Sequence, residues 1–173
     1  MSAEDADARP PLLHLVEPGA VERTPGNEQL RTRFRILTFD MNERDALTLA
    51  LEQSRFDAFN VLATGRACRA AFALAREMGA RVRALALESP DAPPDDTLTT
   101  PTLVLVGTRD ETGAAATAGA CLARIPAAHL IFVYDAGRAI GRDRPEAFAD
   151  VVADFFERHE AFVISRATTV IHP

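Results

Sequence analysis

The 173-residue chain carries 19 basic residues, every one an arginine, against 25 acidic residues, for a net charge of −6. That balance excludes nucleic acid and anionic membrane surfaces as expected partners, since both need a basic face. The lack of lysine excludes Schiff-base chemistry and a P-loop lysine. A composition of 47% hydrophobic and 25% charged residues is that of an ordinary globular domain.

The two cysteines, Cys68 and Cys121, sit in separate Ala-rich stretches. They form neither a disulfide framework nor a zinc motif, so a reducing cytoplasm is expected, with no metal and no cofactor. No apolar run approaches the ~18 residues that would cross a bilayer. The opening MSAEDADARPP is acidic and lacks the order of a signal peptide. Residues 1–10 are therefore expected to be a disordered leader, 11–162 a single domain, and 163–173 a tail or an extra strand.

Strand and helix signals then alternate. Leu12 to Val16 is a short apolar run closed by Pro18-Gly19, a strand and a turn. Phe34 to Asp40 reads as a second strand. Asn42 is placed to cap a helix running to about Arg55. Phe59 to Ala63 is a third strand, followed by an Ala-rich helix over 66–78 that Gly79 stops. Val82 to Leu87, Thr102 to Val106 and Leu130 to Tyr134 complete six strands. Helices fit at 111–124 and at 144–160, the latter with Pro145 in its first turn. Such alternation predicts an α/β fold, a doubly wound and mostly parallel sheet with helices on both faces.

The ends of the strands carry a family pattern. FNVLATGRACRAAFALA resembles the nucleophile elbow of α/β hydrolases, where a strand meets a sharp G-x-S-x-G turn and then a helix of small residues. The matching residues are Ala63-Thr64-Gly65-Arg66-Ala67. ARVRALALESP is similar to the family's next strand, and PTLVLVGTRDE to the strand that ends in the triad acid. IPAAHLIFVYDAGRAIGRDRPEAFADVVADFFER resembles the family's final segment, in which Ala-Gly-His precedes a Pro-Glu-x-Phe helix. PPLLHLVEPGA stands where an apolar strand ends in His-Gly, and FRILTFDMN where a strand ends in Asp. The resemblance spans residues 10–160 and leaves no room for the lid that many members insert.

By that resemblance, the positions of the catalytic machinery are altered. The nucleophile falls on Gly65, which cannot form an acyl-enzyme. The histidine falls on Arg138, which stays protonated and cannot serve as a base. Asp110 matches the acid, or else caps the helix beginning near Glu111. The oxyanion-loop His-Gly becomes Leu15-Val16, followed by Glu17 where a backbone N–H would serve the hole. Glu17 either turns inward to pair with Arg66 or Arg138, or stays outward as a surface charge; the second is the plainer expectation. Thr64 and Cys68 flank the apex without occupying it. His14, His129, His159 and His172 are placed as core, edge or tail residues rather than bases.

The expectation is therefore a degenerate, catalytically inactive α/β-hydrolase-like domain used for interaction, regulation or small-ligand sensing. Its ligand-binding candidates are Glu17, Gly65, Arg66, Asp110 and Arg138, and its expected partner is another protein, an active homologue or a small ligand. The alternative is a divergent hydrolase acting on a small ester without a triad. Asp110 and Arg138, brought together by the fold, are expected to form an ion pair in place of the family's Asp–His contact.

Overall fold

A computed structural model describes residues 8–20, 23–42, 44–54, 56–162 and 170–171. Most of the expected leader and tail lies outside these described residues. Seven strands form one parallel sheet in the order β2-β1-β3-β4-β5-β6-β7. They are β1 Pro11–Val16, β2 Arg35–Asp40, β3 Phe59–Thr64, β4 Val82–Glu88, β5 Thr102–Gly107, β6 Ala128–Val133 and the two-residue β7 Val170–Ile171. The helices are α1 Pro25–Leu30, α2 Arg44–Ser54, α3 Cys68–Met78, α4 Ala114–Arg124, α5 Ile140–Asp143 and α6 Pro145–Arg158.

The apolar runs become strands because both faces of the sheet are covered. Leu13 and Leu15 of β1 join Val61 and Ala63 of β3 under a layer that includes Ala71 and Phe72 of α3 and Ala118 and Cys121 of α4. Leu12 and Leu62 point the other way, into a second cluster with Leu30 of α1, Ile140 of α5 and Phe148 and Phe155 of α6. The period of two along each strand thus feeds both cores of one domain. In α6, Phe148, Val151, Val152, Phe155 and Phe156 recur at helical spacing and are all buried.

Several boundaries differ from the sequence reading, each for a local reason. The expected helix over 66–78 opens as a tight 3-10 turn over Gly65–Ala67 before α3 begins at Cys68. The segment expected as one helix from 144 is preceded by the separate α5, and α6 starts at Pro145, whose missing N–H suits the first turn. Helix α4 starts at Ala114, not near Glu111, because Gly113 adopts a left-handed conformation with φ 88°. Helix α1 was not anticipated. Thr24 caps it by accepting from Asn27 N at 3.2 Å, with Pro25 at its first position.

From β1 the chain moves outward to β2, then returns across β1 to β3 and continues in the other direction. The carboxyl ends of β1 and β3 therefore flank a topological switch point, the place where open α/β sheets form crevices. Glu17 follows β1 and Gly65 follows β3, so both enter that crevice.

Phe148 is fully buried, and a Cβ at Gly26 or at Gly141 would press on its ring, so these two glycines let α1 and α5 close over it. Phe148→Ala is expected to lower the unfolding free energy by about 3–5 kcal/mol. Equilibrium urea denaturation of the two proteins checks this; a loss below ~1 kcal/mol would mean that the α1–α6 face contributes little.

Candidate functional site

The strand-to-helix turn after β3 places Gly65 at its apex with φ 54°, a conformation that side chains with a Cβ rarely adopt. The space where a nucleophile's side chain would stand is filled by other residues. A Cβ built on Gly65 would fall within 3.0 Å of both Glu17 Oε1 and Arg138 Nη2. Glycine at 65 thus serves two physical needs, the left-handed backbone and room for an intruding ion pair.

Glu17 turns inward, against the plainer expectation of a surface charge. Its Oε1 accepts the backbone N–H of Arg66 at 2.9 Å and a guanidinium hydrogen from Arg138 Nη2 at 2.8 Å. Its Oε2 accepts from Arg66 Nε at 3.1 Å. The N–H of the residue after the nucleophile is the donor that α/β hydrolases aim at a developing oxyanion. In this chain the N–H after Gly65, that of Arg66, is bonded to a carboxylate of the chain itself. Burial favours its neutral form, but the Arg66 hydrogen bonds and the charges of Arg138 and Arg66 outweigh it and hold the Glu17 carboxyl below its ordinary value.

The expected Asp110–Arg138 ion pair is replaced by Glu17–Arg138. Asp110 Oδ1 accepts instead from Thr112 N at 2.9 Å and Thr112 Oγ1 at 2.6 Å, closing a local turn rather than capping α4. Ser89 lies beside the same carboxylate, yet its Oγ and Asp110 Oδ2 are buried without meeting hydrogen-bond geometry. Burial raises the Asp110 carboxyl, and the Thr112 and Ser89 contacts together with the Arg138 charge lower it further than that. Arg138 favours the ionised form of three carboxylates, Glu17, Glu88 and Asp110, while its direct bond goes to Glu17. Its loop is held by the close approach of Gly107 to the carbonyls of Ala136 and Gly137, where no Cβ would fit. Hydrogen bonds from Arg109 N to Ala136 O at 2.8 Å and from Asp135 N to Thr108 Oγ1 at 3.0 Å hold it too.

The candidates Glu17, Gly65, Arg66 and Arg138 therefore converge on one point, and Asp110 stands apart on a turn of its own. Thr64 lines the adjoining groove. Cys68 is fully buried at the start of α3, where burial pushes its thiol far from the reactive thiolate. His129 meets the rings of Phe155 and Phe162 edge-on, and His159 contacts Asn60 Oδ1 at 3.2 Å, so both belong to packing. His172 lies outside the described residues. Among the described residues, no group of three or more His, Cys, Asp or Glu side chains is placed to hold a metal ion. No helix among them is long and apolar enough to cross a membrane.

Two further residues matter here that the sequence reading did not single out as a site. Beside the Glu17 cluster lies a cavity of about 540 Å3 lined by His14, Asn27, Glu88 and Arg138 among others. Glu88 ends β4 opposite Thr64 of β3 and is 7% exposed. Its Oε1 accepts the backbone N–H of Gly141 at 2.9 Å. Desolvation pushes its carboxyl up to about 7, although hydrogen bonds from Gly141 and Ile140 oppose the shift. His14 is 2% exposed, and burial together with the Arg31 charge pushes its imidazole down to about 4. Its Nε2 is buried and has no hydrogen-bond partner. A carboxylate closing an otherwise apolar strand, ALALE, was the available signal for Glu88. Nothing in PLLHLV separates His14 from a core histidine.

The two shifts oppose each other in pH. His14 binds its proton more readily unfolded than folded between pH 4 and its ordinary 6.5, so stability rises with pH there. Glu88 keeps its proton in the folded state between its ordinary 4.5 and about 7 while the unfolded chain releases it, so stability falls with pH there. Each amounts to roughly 3 kcal/mol at most, and in the wild type they largely cancel. Glu88→Gln is therefore expected to unmask a steeper rise in stability from pH 4.5 to 6.5, read as urea unfolding free energy across a pH series. Parallel curves for the two proteins would mean that Glu88 ionises normally.

No protein-family model matches the chain, and no curated protein matches its sequence. Its structure is nonetheless similar to solved hydrolases. A predicted hydrolase from Thermoplasma acidophilum superposes with TM-score 0.69 at 12% identity, covering 89% of this chain and 88% of that one. A thermophilic esterase from Thermogutta terrifontis, solved with malate bound, gives 0.70 at 16% identity, with 87% and 90% covered. The 2-hydroxy-6-oxo-6-phenylhexa-2,4-dienoate hydrolase of Rhodococcus sp. strain RHA1 gives 0.75 at 12% identity, with 86% and 91% covered. Together with the parallel sheet and the elbow at the switch point, these likenesses show that the chain has the α/β-hydrolase fold.

Proposed function

We propose that this chain is a catalytically inactive α/β-hydrolase-like domain that serves small-ligand sensing, regulation or interaction. The observation that carries the reading is the fate of the elbow. Gly65 offers no nucleophile, and the volume beside it holds the Glu17 carboxylate and the Arg138 guanidinium. The N–H of Arg66, which would stabilise an oxyanion, is already bonded to Glu17 Oε1. A second negative charge arriving there would meet a carboxylate, the reverse of transition-state stabilisation. Arg138 supplies no base. A net charge of −6 fits a partner that is another protein or an active homologue better than a nucleic acid, and two isolated buried thiols fit a reducing cytoplasm.

A second reading rests on Glu88. A buried carboxyl with a pKa of about 7 beside a cavity is matched to general acid–base work near neutral pH, and would let a divergent hydrolase activate water without a triad.

Fluorophosphonate labelling and a panel of short esters test both readings. The first expects no labelling and no turnover above buffer. Turnover abolished by Glu88→Gln would favour the second reading, and stoichiometric labelling would remove the first. Gly65→Ser is expected to remain inactive, because its hydroxyl would gain no neutral imidazole and would displace the Glu17–Arg138 pair. Even Gly65→Ser with Arg138→His should be feeble while Glu17 remains beside the oxyanion position. Robust esterase activity in the single variant would place a working base elsewhere in the crevice.

A further inference from the structure

The geometry points to a specific ligand class: we propose that the crevice binds a small hydroxy-carboxylate whose carboxylate exchanges with that of Glu17 on the Arg66–Arg138 cradle, and whose hydroxyl meets His14 and Glu88 in the adjoining cavity. This inference rests on the ligand-sensing reading above and names its ligand.

The cradle is an anion site that already contains an anion. Its donors are arranged for a planar carboxylate: the Arg66 N–H and Arg138 Nη2 converge on one oxygen, and Arg66 Nε reaches the other. Such charge-assisted bonds are strong and directional. Glu17 reaches them from a loop after β1, not from the elbow itself, and Pro18-Gly19 follows it at the surface. Nothing covalent fixes the carboxylate there, so a competing carboxylate needs only to displace one side chain. Gly65 adds no side chain there, and the space that its Cβ would take is held by the Glu17 carboxylate that exchange would move and by the Arg138 guanidinium.

Displacement has to overcome a tethered competitor, whose effective concentration is on the order of millimolar. A bare carboxylate is therefore a weak ligand, and the remainder of the molecule must add contacts. The cavity supplies them. Its volume of about 540 Å3 is within the range of small-molecule sites, and its walls combine apolar Val16, Pro25 and Ala139 with a few polar groups. Two of those groups are buried. His14 Nε2 lacks a partner, an unusual condition for a buried polar atom and one that a bound group would relieve. Glu88 spends an oxygen on the Gly141 N–H and faces the same cavity. A neutral imidazole and a carboxyl that can hold its proton both accept and donate, and a hydroxyl can answer either. A cationic amine suits a neutral imidazole less well, and a second carboxylate would oppose Glu88.

The probes are butyrate, 3-hydroxybutyrate, the methyl ester of the latter and inorganic phosphate. Binding is read as saturating shifts of the Arg66 backbone amide in nitrogen–proton NMR spectra and by calorimetry. In the wild type, 3-hydroxybutyrate is expected to shift the Arg66 amide and to bind more tightly than butyrate, and the ester to do neither. Glu17→Ala is expected to tighten both carboxylates about tenfold or more, because the internal competitor is gone. Arg138→Ala in the Glu17→Ala background is expected to lose that gain. His14→Leu should bring 3-hydroxybutyrate down to the level of butyrate while leaving butyrate unchanged, a split that general destabilisation would not give. Thermal melts establish folding, and Glu17→Gln, which keeps the shape and removes the charge, serves where Glu17→Ala does not fold.

An Arg66 amide that responds to no carboxylate in the wild type or in the Glu17 variants would overturn the proposal. So would phosphate or the ester binding as tightly as the acid. Hydrolysis is not read in these titrations, so the two readings fail separately. A chain that binds no carboxylate and cleaves no ester loses only this ligand, whereas ester turnover with intact exchange at the cradle removes the inactive reading.

Discussion

The carboxylate of Glu17 organises the crevice. An ionised carboxylate at the end of a buried strand needs donors, and it finds them in three bonds from two arginines and a backbone N–H. Those bonds tie together the loops after β1, β3 and β6, which are distant in sequence and adjacent only at the carboxyl edge of the sheet. The side chains are partly exposed, Glu17 at 23% and Arg138 at 45%, so each ion pair by itself contributes modestly, roughly 0–1 kcal/mol. Their importance is geometric. The cluster occupies the space that a side chain at position 65 would take and the first free backbone N–H of the turn, that of Arg66, at once.

Deeper in the same crevice the electrostatics are handled differently. Glu88 and His14 are buried, and the Arg138 charge offsets only part of that burial at Glu88, while the Arg31 charge adds to its effect at His14. Desolvation therefore drives both toward their neutral forms, one upward and the other downward in pKa. The crevice thus has a charged, hydrogen-bonded mouth and an interior whose polar groups carry less charge than they would in water. The fold provides the place for a site, and the side chains set its chemistry.

Much of this was readable from local pattern. Apolar runs of strand length, Ala-rich helical spacing and Pro145 at a helix start report on nearest neighbours along the chain, and they pointed to the parallel α/β architecture. Asp110, Arg138, Gly65 and Glu17 were singled out by their resemblance to the family's motifs at the strand ends. Helix α1 escaped because six residues carry too little periodicity to stand out, and its start depends on the Thr24 cap.

What the sequence by itself could not decide was pairing. Arg138 had two acidic partners within reach of the same crevice, Asp110 and Glu17, and spacing along the chain does not rank them. The tertiary structure does, because Asp110 satisfies itself on Thr112, two residues away, while Glu17 has no such local donor and turns inward. Burial was likewise invisible at His14 and Glu88, since the desolvation that shifts their protonation comes from the packed structure around β1 and β4. Sequence determines which groups a strand end presents. Only the packed structure determines which of them lose water, and which opposite charge each one finds.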